Sequence, residues 1–329
     1  MSAPTLLLTR SDIGPLMSPA DYLSAVEEAF RAAEEARASA PPPMHVDGVD
    51  GAFHAKGASL LGARGYVAVK LNGNFPGNPQ RFGLPTIQGV IVLSDASNGA
   101  VLALMDSIEI TLKRTAAASA LAARHLAMPE ASTLAICGCG DQARAHVEAL
   151  ADLFSINLVR AWDIAPERAA AFCNEVQTRY GVACETAAHI EEATRGALLI
   201  VTCTTSRTPF LEPHHVAPGA FIAAVGADNP NKSEITPALM ARARVVCDVI
   251  AQCRAMGDLR HALAAGAMRE TDVYADLAQI ICGVRPGRAS DDAVFVFDST
   301  GTALQDVASA AQAYERALAI GAGQRIILA

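Results

Sequence analysis

Lysine is almost missing from this 329-residue sequence: only Lys56, Lys70, Lys113 and Lys232 occur, and the formal net charge is −8. A surface that grips nucleic acid or an anionic membrane needs clustered Lys and Arg, so both classes of partner are excluded as expectations. Long apolar runs are missing too. The most conspicuous alanine-rich stretch, residues 116–123, is bounded by Arg114 and Arg124. It falls well short of the roughly 20 apolar residues of a membrane span. The three leucines at 6–8 are soon followed by Arg10 and Asp12. That run is too short for a secretory core, and a cytoplasmic protein is expected. No CxxC pair occurs, and the first 136 residues hold no cysteine. A disulfide framework and a thiolate metal site are therefore not expected; Cys137 and Cys139 read as small buried hydrophobes.

What is present is core material. Hydrophobic residues make up 51% and charged residues 18%, enough for about two packed domains. From residue 132 onward, short continuous apolar runs alternate with helical patterns. Strands are expected at 133–137, 157–162, 182–186, 197–204, 220–225, 244–249 and 293–297, with helices at 142–154 and 166–180. Continuous apolar strands alternating with helices mean a parallel sheet covered on both faces. The first 125 residues read differently. An amphipathic helix at 21–37 ends at Pro41–Pro43, and strands at 53–56, 66–71 and 89–93 suit an antiparallel or mixed sheet. A long helix from 108 to 126 leads into the second region, and residues 303–320 are helical again, with a last strand at 325–328. The expected fold class is α/β: a Rossmann-type nucleotide-binding domain at 126–301, plus a discontinuous α+β domain from residues 1–125 and 302–329.

The sharpest local signal is Gly138-x-Gly140-x-x-Ala143, which follows a strand and opens a helix. Gly138 permits the tight turn, Gly140 allows backbone to approach a pyrophosphate, and Ala143 lets helix and strand pack closely. The alternative is an ordinary strand–helix turn. Asp163 ends the next strand, about 20 residues on, where a carboxylate accepts ribose hydroxyls and repels a 2′-phosphate. No Arg follows it directly; Ile164, Ala165 and Pro166 do. NAD is therefore expected over NADP, with a capping role for Asp163 as the alternative. Other polar residues fall at strand ends, where an open parallel sheet binds ligands: Thr202 and Thr204, Asp228, and Ser299 with Gly301. Asp228 is a candidate acid/base group or a turn residue. In the first region, Lys70 is embedded in the apolar run Val67–Val69 and needs a partner or a cleft. Arg114 stands near the expected start of an alanine-rich helix, where a cation is disfavoured, which points toward a ligand or a surface ion pair.

Taken in order, these pieces resemble the ornithine cyclodeaminase/mu-crystallin family. They are Val69-Lys70, Pro85-Thr86-Ile87-Gln88-Gly89, Thr111-x-x-Arg114-Thr115-Ala116-Ala117, Ile136–Ala143, Gly226-Ala227-Asp228 with Lys232, and Ser299-Thr300-Gly301 with Gln305-Asp306. The resemblance implies a nucleotide-binding domain, a dimerising domain built from both chain ends, and NAD or NADP chemistry on amino acids and imines. It implies that Lys70 and Arg114 bind the substrate carboxylate and that Asp228 manages protons. It further implies that Gly138, Gly140, Gln142 and Ala143 line the pyrophosphate loop, that Asp163 holds ribose, that Thr86 and Thr115 lie near the site, and that Ser299 and Gly301 lie near the nicotinamide. Two departures stand out. Pro43 occupies the place where many members carry a carboxylate-binding Arg, which makes Lys56 the candidate replacement. His54 stands where cyclodeaminases carry an acid, which weakens the case for ornithine cyclisation.

The expectation is thus an NAD-dependent oxidoreductase at the C–N bond of a small amino acid or its cyclic imine, of the amino-acid dehydrogenase or ketimine reductase type, acting as a homodimer. Lys70 and Asp228 would be catalytic, with Arg114, Lys56 and Thr86 on the substrate. The alternatives are an ornithine cyclodeaminase-type ammonia lyase using NAD without net redox change, and a non-catalytic nucleotide- or small-ligand-binding protein.

Overall fold

Sixteen strands form along the described residues, 4–328 of the computed structural model: β1 Thr5–Leu8, β2 Ala38–Ser39, β3 Met44–Gly48, β4 Gly51–Leu60, β5 Tyr66–Asn74, β6 Ile87–Asp95, β7 Val101–Asp106, β8 Thr133–Cys137, β9 Leu158–Trp162, β10 Ala183–Thr186, β11 Leu199–Thr202, β12 Phe221–Ala224, β13 Arg244–Cys247, β14 Ala275–Asp276, β15 Phe295–Asp298 and β16 Gln324–Ile326. They make two sheets in two units, one from residues up to 114 and from 302 onward, the other from 115–301. The first division falls inside the helix Ser107–Leu126; the expected boundary at 125/126 lies at the end of that helix.

In the first unit the sheet runs β16-β1-β7-β6-β5-β4-β2, with β3 also paired to β4. β1, β2, β3 and β7 have no counterpart among the sequence-expected strands. β3 is exposed along its whole length and lacks the half-buried alternation that betrays a strand. The helix Pro19–Glu34 starts at Ser18, whose hydroxyl and the Asp21 carboxylate form a reciprocal capping box. The helix Ala303–Ile320 returns to this unit and packs on β4, β5 and Pro19–Glu34, burying Leu304, Val307, Ala310, Ala313 and Ala317. Period-two alternation sorts the strands between two faces. On β5, Ala68 and Lys70 point inward while Val69 and Leu71 are exposed. Register places Leu71 beside Val90, and puts Phe53 opposite Val46. Those four side chains, with Val69, form an open apolar face.

The second unit is a parallel sheet in the order β10-β9-β8-β11-β12-β15-β13-β14. Its central strands are apolar on both faces because both are covered: Leu134–Ile136, Leu199–Val201, Phe221–Ala224 and Phe295–Phe297 are all buried. The chain runs from β8 outward to β9 and β10, then returns to place β11 on the other side of β8. The carboxyl ends of β8 and β11 thus flank the switch point, the usual ligand position in such sheets. Among the described residues no helix is long and apolar enough to cross a membrane.

Candidate active site

Two clusters of chemistry-bearing residues emerge, one in each unit. The first is buried. Lys70 on β5 is 4% exposed, and its Nζ lies 2.7 Å from Asp306 Oδ2 and 3.1 Å from Thr111 Oγ1. Arg114 is equally buried; its Nε donates to Asp306 Oδ1 at 2.9 Å and its Nη1 to Gln305 Oε1 at 2.7 Å. Thr111 and Arg114 stand three residues apart on one helix face, and Gln305 and Asp306 come from the C-terminal helix. Lys56 is the antiparallel register partner of Lys70, so both project from the same face of the sheet.

Burial pushes the Lys70 ammonium down to about 7, the Asp306 charge pulling it back up and Arg114 and Lys56 adding to the depression. Burial alone would raise the Asp306 carboxyl, but the Lys70 and Arg114 cations hold it below the usual carboxylate range. One carboxylate therefore serves two cations. The Nε2 amide of Gln305, oriented by the bond from Arg114 to its oxygen, is buried and meets no acceptor among the described residues. An unmet buried donor costs about 1–3 kcal/mol, which a ligand carboxylate would relieve.

The sequence reading expected Arg114 near a helix start, disfavoured there by the dipole. The structure corrects this. The helix begins at Ser107, with Asp106 Oδ1 accepting from the Ile108 and Glu109 amides at 3.0 Å, so Arg114 lies two turns in. The dipole's influence fades within the first turn. The contacts to Asp306 and Gln305 account for Arg114 instead. Thr86 is half-buried in the loop before β6, and its carbonyl accepts from the Phe75 amide at 2.8 Å.

The second cluster lies at the carboxyl ends of the parallel strands. Gly138 has φ +98°, and a Cβ there would come within 2.9–3.0 Å of Thr204 and Cys203. Gly140 heads the helix Asp141–Ala151 with no side-chain cap, and a Cβ on it would enter open space. The helix thus presents uncapped N–H groups where an anion fits. Ala143 is buried, and the buried Gln142 Oε1 has no partner among the described residues. Asp163 Oδ2 accepts from the Cys139 amide at 2.8 Å and Oδ1 from Ala165 at 2.9 Å. The carboxylate fixes the glycine loop and has lone pairs to spare for further donors. These features suit a dinucleotide. Thr115, on the helix Ser107–Leu126, is buried.

Thr202, Thr204, Ser299 and Gly301 turn out to be tied to acids that sequence reasoning missed. Glu234, fully buried, accepts from Thr202 Oγ1 at 2.7 Å, Thr204 N at 2.6 Å, Thr204 Oγ1 at 2.7 Å and Gly226 N at 2.8 Å. Asp248 accepts from Gly301 N at 2.7 Å, Thr300 Oγ1 at 3.2 Å and Ser299 Oγ at 3.4 Å. Asp258 accepts from Ser233 Oγ and the Glu234 and Ile235 amides, and Asp298 from the Leu259 amide at 2.8 Å. Burial raises the carboxyls of Glu234 (to about 7), Asp258 and Asp298. Asp228 lies outside this ladder. It is about half exposed, and Lys232 Nζ meets its Oδ1 at 2.7 Å.

Residues 4–321 match the model of the ornithine cyclodeaminase/mu-crystallin family. Solved structures of full length superpose closely. An archaeal alanine dehydrogenase dimer with bound NAD is 36% identical, covering 99% of this chain and 100% of that one, with a TM-score of 0.95. A Δ1-pyrroline-2-carboxylate reductase from Thermococcus litoralis, in complex with NADH and L-proline, is 30% identical over 98% and 100% of the two chains, TM-score 0.94. The iminosuccinate reductase of Paracoccus denitrificans with NAD+ is 32% identical over 99% and 100%, TM-score 0.92.

Proposed function

The chain belongs to the ornithine cyclodeaminase/mu-crystallin family, and from that premise we propose that it is an NAD-dependent oxidoreductase acting at the C–N bond of a small amino acid or its imine. The observation that carries this reading is the buried cluster in which Lys70 and Arg114 share one carboxylate beside the unmet amide of Gln305. Such a cluster is a receptor for the carboxylate that amino and imino acids share. Relatives of the same fold, bound to NAD or NADH, act on alanine, pyrroline-2-carboxylate and iminosuccinate.

The assigned roles follow the geometry of each unit. Lys70 and Arg114, with Lys56 beside them, orient the substrate carboxylate, and Thr86 lies near the substrate. The glycine loop and the uncapped helix N-terminus receive the pyrophosphate, with Gln142 and Ala143 completing the loop. Asp163 takes the ribose; Thr115, Thr202, Thr204, Ser299 and Gly301 complete the cofactor side. When bound, the nicotinamide supplies or accepts hydride at the substrate carbon that carries nitrogen. Asp228 gives or takes the proton at that nitrogen, and Lys232 Nζ meets its Oδ1 at 2.7 Å.

NADH absorbance during a screen of amino acids with NAD, and of cyclic imines with NADH, tests the proposal. Net formation or consumption of NADH is expected. Ammonia release at constant NADH would establish a cyclodeaminase instead, and NADH binding without turnover on any amine or imine would establish a binding protein.

The open apolar face of β3–β6 supports association with a second copy of the chain, since contiguous exposed apolar area on a folded protein marks an interface. The C-terminal helix, expected to share in the dimer, packs on β4, β5 and the helix Pro19–Glu34 and leaves Leu318 and Ile320 exposed. A relative was solved as a dimer. The eight free cysteines support a cytoplasmic residence.

A further inference from the structure

Asp228 presents a difficulty for proton chemistry: it is half exposed on a loop, and the groups meeting its carboxylate, Lys232 and Asn229, sit on the same loop. What holds that loop lies beneath it. We propose that Glu234 is a positioning residue for Asp228, its buried carboxylate closing the 226–234 loop on itself and fastening it to the loop after β11. The inference rests on the reading of Asp228 as the proton-handling group.

The hydrogen bonds carry the argument. Glu234 Oε2 accepts the Gly226 amide at 2.8 Å, so the last residue of the loop grips the first. Its Oε1 accepts the Thr204 amide at 2.6 Å and the Thr204 hydroxyl at 2.7 Å, and Oε2 also takes the Thr202 hydroxyl at 2.7 Å. The Thr204 hydroxyl is itself aimed, because the Ser206 amide donates to its oxygen at 3.1 Å. Two of the four donors are backbone N–H groups, which cannot reverse their role. The backbone of Glu234 is pinned from outside the loop: its N–H donates to Asp258 Oδ1 at 2.8 Å, and its carbonyl accepts from Phe210 and Leu211 at 2.9 Å. The fit is close enough to require glycine at 226, where a Cβ would fall 2.4 Å from the Glu234 carboxyl.

Glu234→Gln keeps the volume but turns an NH2 toward a backbone N–H. Two donors then face each other, and one of the two loops must let go. A displacement of the order of 1 Å at a reacting group is worth up to about a hundredfold in rate.

The experiment is a double-mutant cycle on turnover of a cyclic imino acid with NADH, using wild type, Glu234→Gln, Asp228→Asn and the double variant, with NADH affinity from calorimetry. The expected result is a loss in kcat of about tenfold to a hundredfold in Glu234→Gln. In the Asp228→Asn background the same substitution should change kcat by no more than about twofold, because the group it positions is already gone. Multiplicative losses, with Asp228→Asn itself strongly impaired, would overturn the positioning role and leave the reading of Asp228 intact. So would normal turnover in Glu234→Gln. Near-normal turnover in Asp228→Asn removes Asp228 from the chemistry, and this inference falls with it. Gly226→Ala, which strains the clamp from the opposite side, completes the same cycle if Glu234→Gln does not fold.

Discussion

Replacing Asp306 with Asn tests the buried cluster directly. The substitution keeps the shape and removes the single negative charge that faces Lys70 at 2.7 Å and Arg114 at 2.9 Å. Breaking a buried pair by deleting one partner typically costs about 3–5 kcal/mol. The lower end applies here, because Gln305 still accepts from Arg114 and Lys70 can shed its proton. A loss near 3 kcal/mol translates into a drop in Tm on the order of 10 °C. The pH dependence follows from Lys70. Its folded-state value of about 7 lies well below that of an ordinary lysine. Between the two values the unfolded chain binds more protons, so this group makes stability rise with pH above about 7. Without Asp306 the ammonium is disfavoured further, and the window opens at lower pH. The deficit of the variant should therefore be larger at pH 6 than at pH 9. Thermal melts at both pH values measure it, and calorimetry should show NADH affinity unchanged, since no cofactor group belongs to this cluster. A variant that melts within about 2 °C of wild type at pH 6 would mean that Asp306 is not the counter-ion that the geometry describes.

Two further outcomes concern other regions. Asp163→Ser combined with Ile164→Arg should shift preference from NADH toward NADPH while weakening NADH binding overall, because the Cys139 amide loses its acceptor; a wild type that already prefers NADPH would contradict this. Val69→Asp with Leu71→Asp places charges on the open apolar face. It should convert a species of twice the 34.2 kDa chain mass into single chains by sedimentation, whereas a wild type that sediments as single chains would refute the interface.

How much of this was legible in the sequence depended on whether the signal was local. The central parallel strands were readable because burial on both faces writes them as unbroken apolar runs, as in Thr133–Cys137, whereas the two-residue β14 was not expected. The glycine loop was readable because a left-handed φ at 138, crowded by Thr204 and Cys203, restricts that position to glycine. Lys70 announced itself as a cation within an apolar strand. The buried acids did not. Glu234 and Asp248 lie in loops, Asp258 begins a helix and Asp298 ends β15, and nothing local says that an acidic residue in such a place will be desolvated. Only the fold brings their donors together. β7 was missed because Val101–Met105 is an apolar run without the polar alternation of a half-buried strand; the helix expected over 108–126 forms at Ser107–Leu126.

The two-sided character of β5 has a consequence for how this chain can change over time. Lys70 faces inward toward Asp306, while its neighbours Val69 and Leu71 face outward. One inserted or deleted residue within β5 would exchange the two faces together, carrying the ammonium into the open and an apolar side chain against Asp306. The same slip would break the pairing of Lys70 with Lys56 on one side and with Ile91 on the other. Length variation in this strand is therefore closed to neutral drift, whereas the short connection to β4, residues 61–65, remains open to it. Substitution can tune the cluster or the apolar face separately; insertion and deletion cannot.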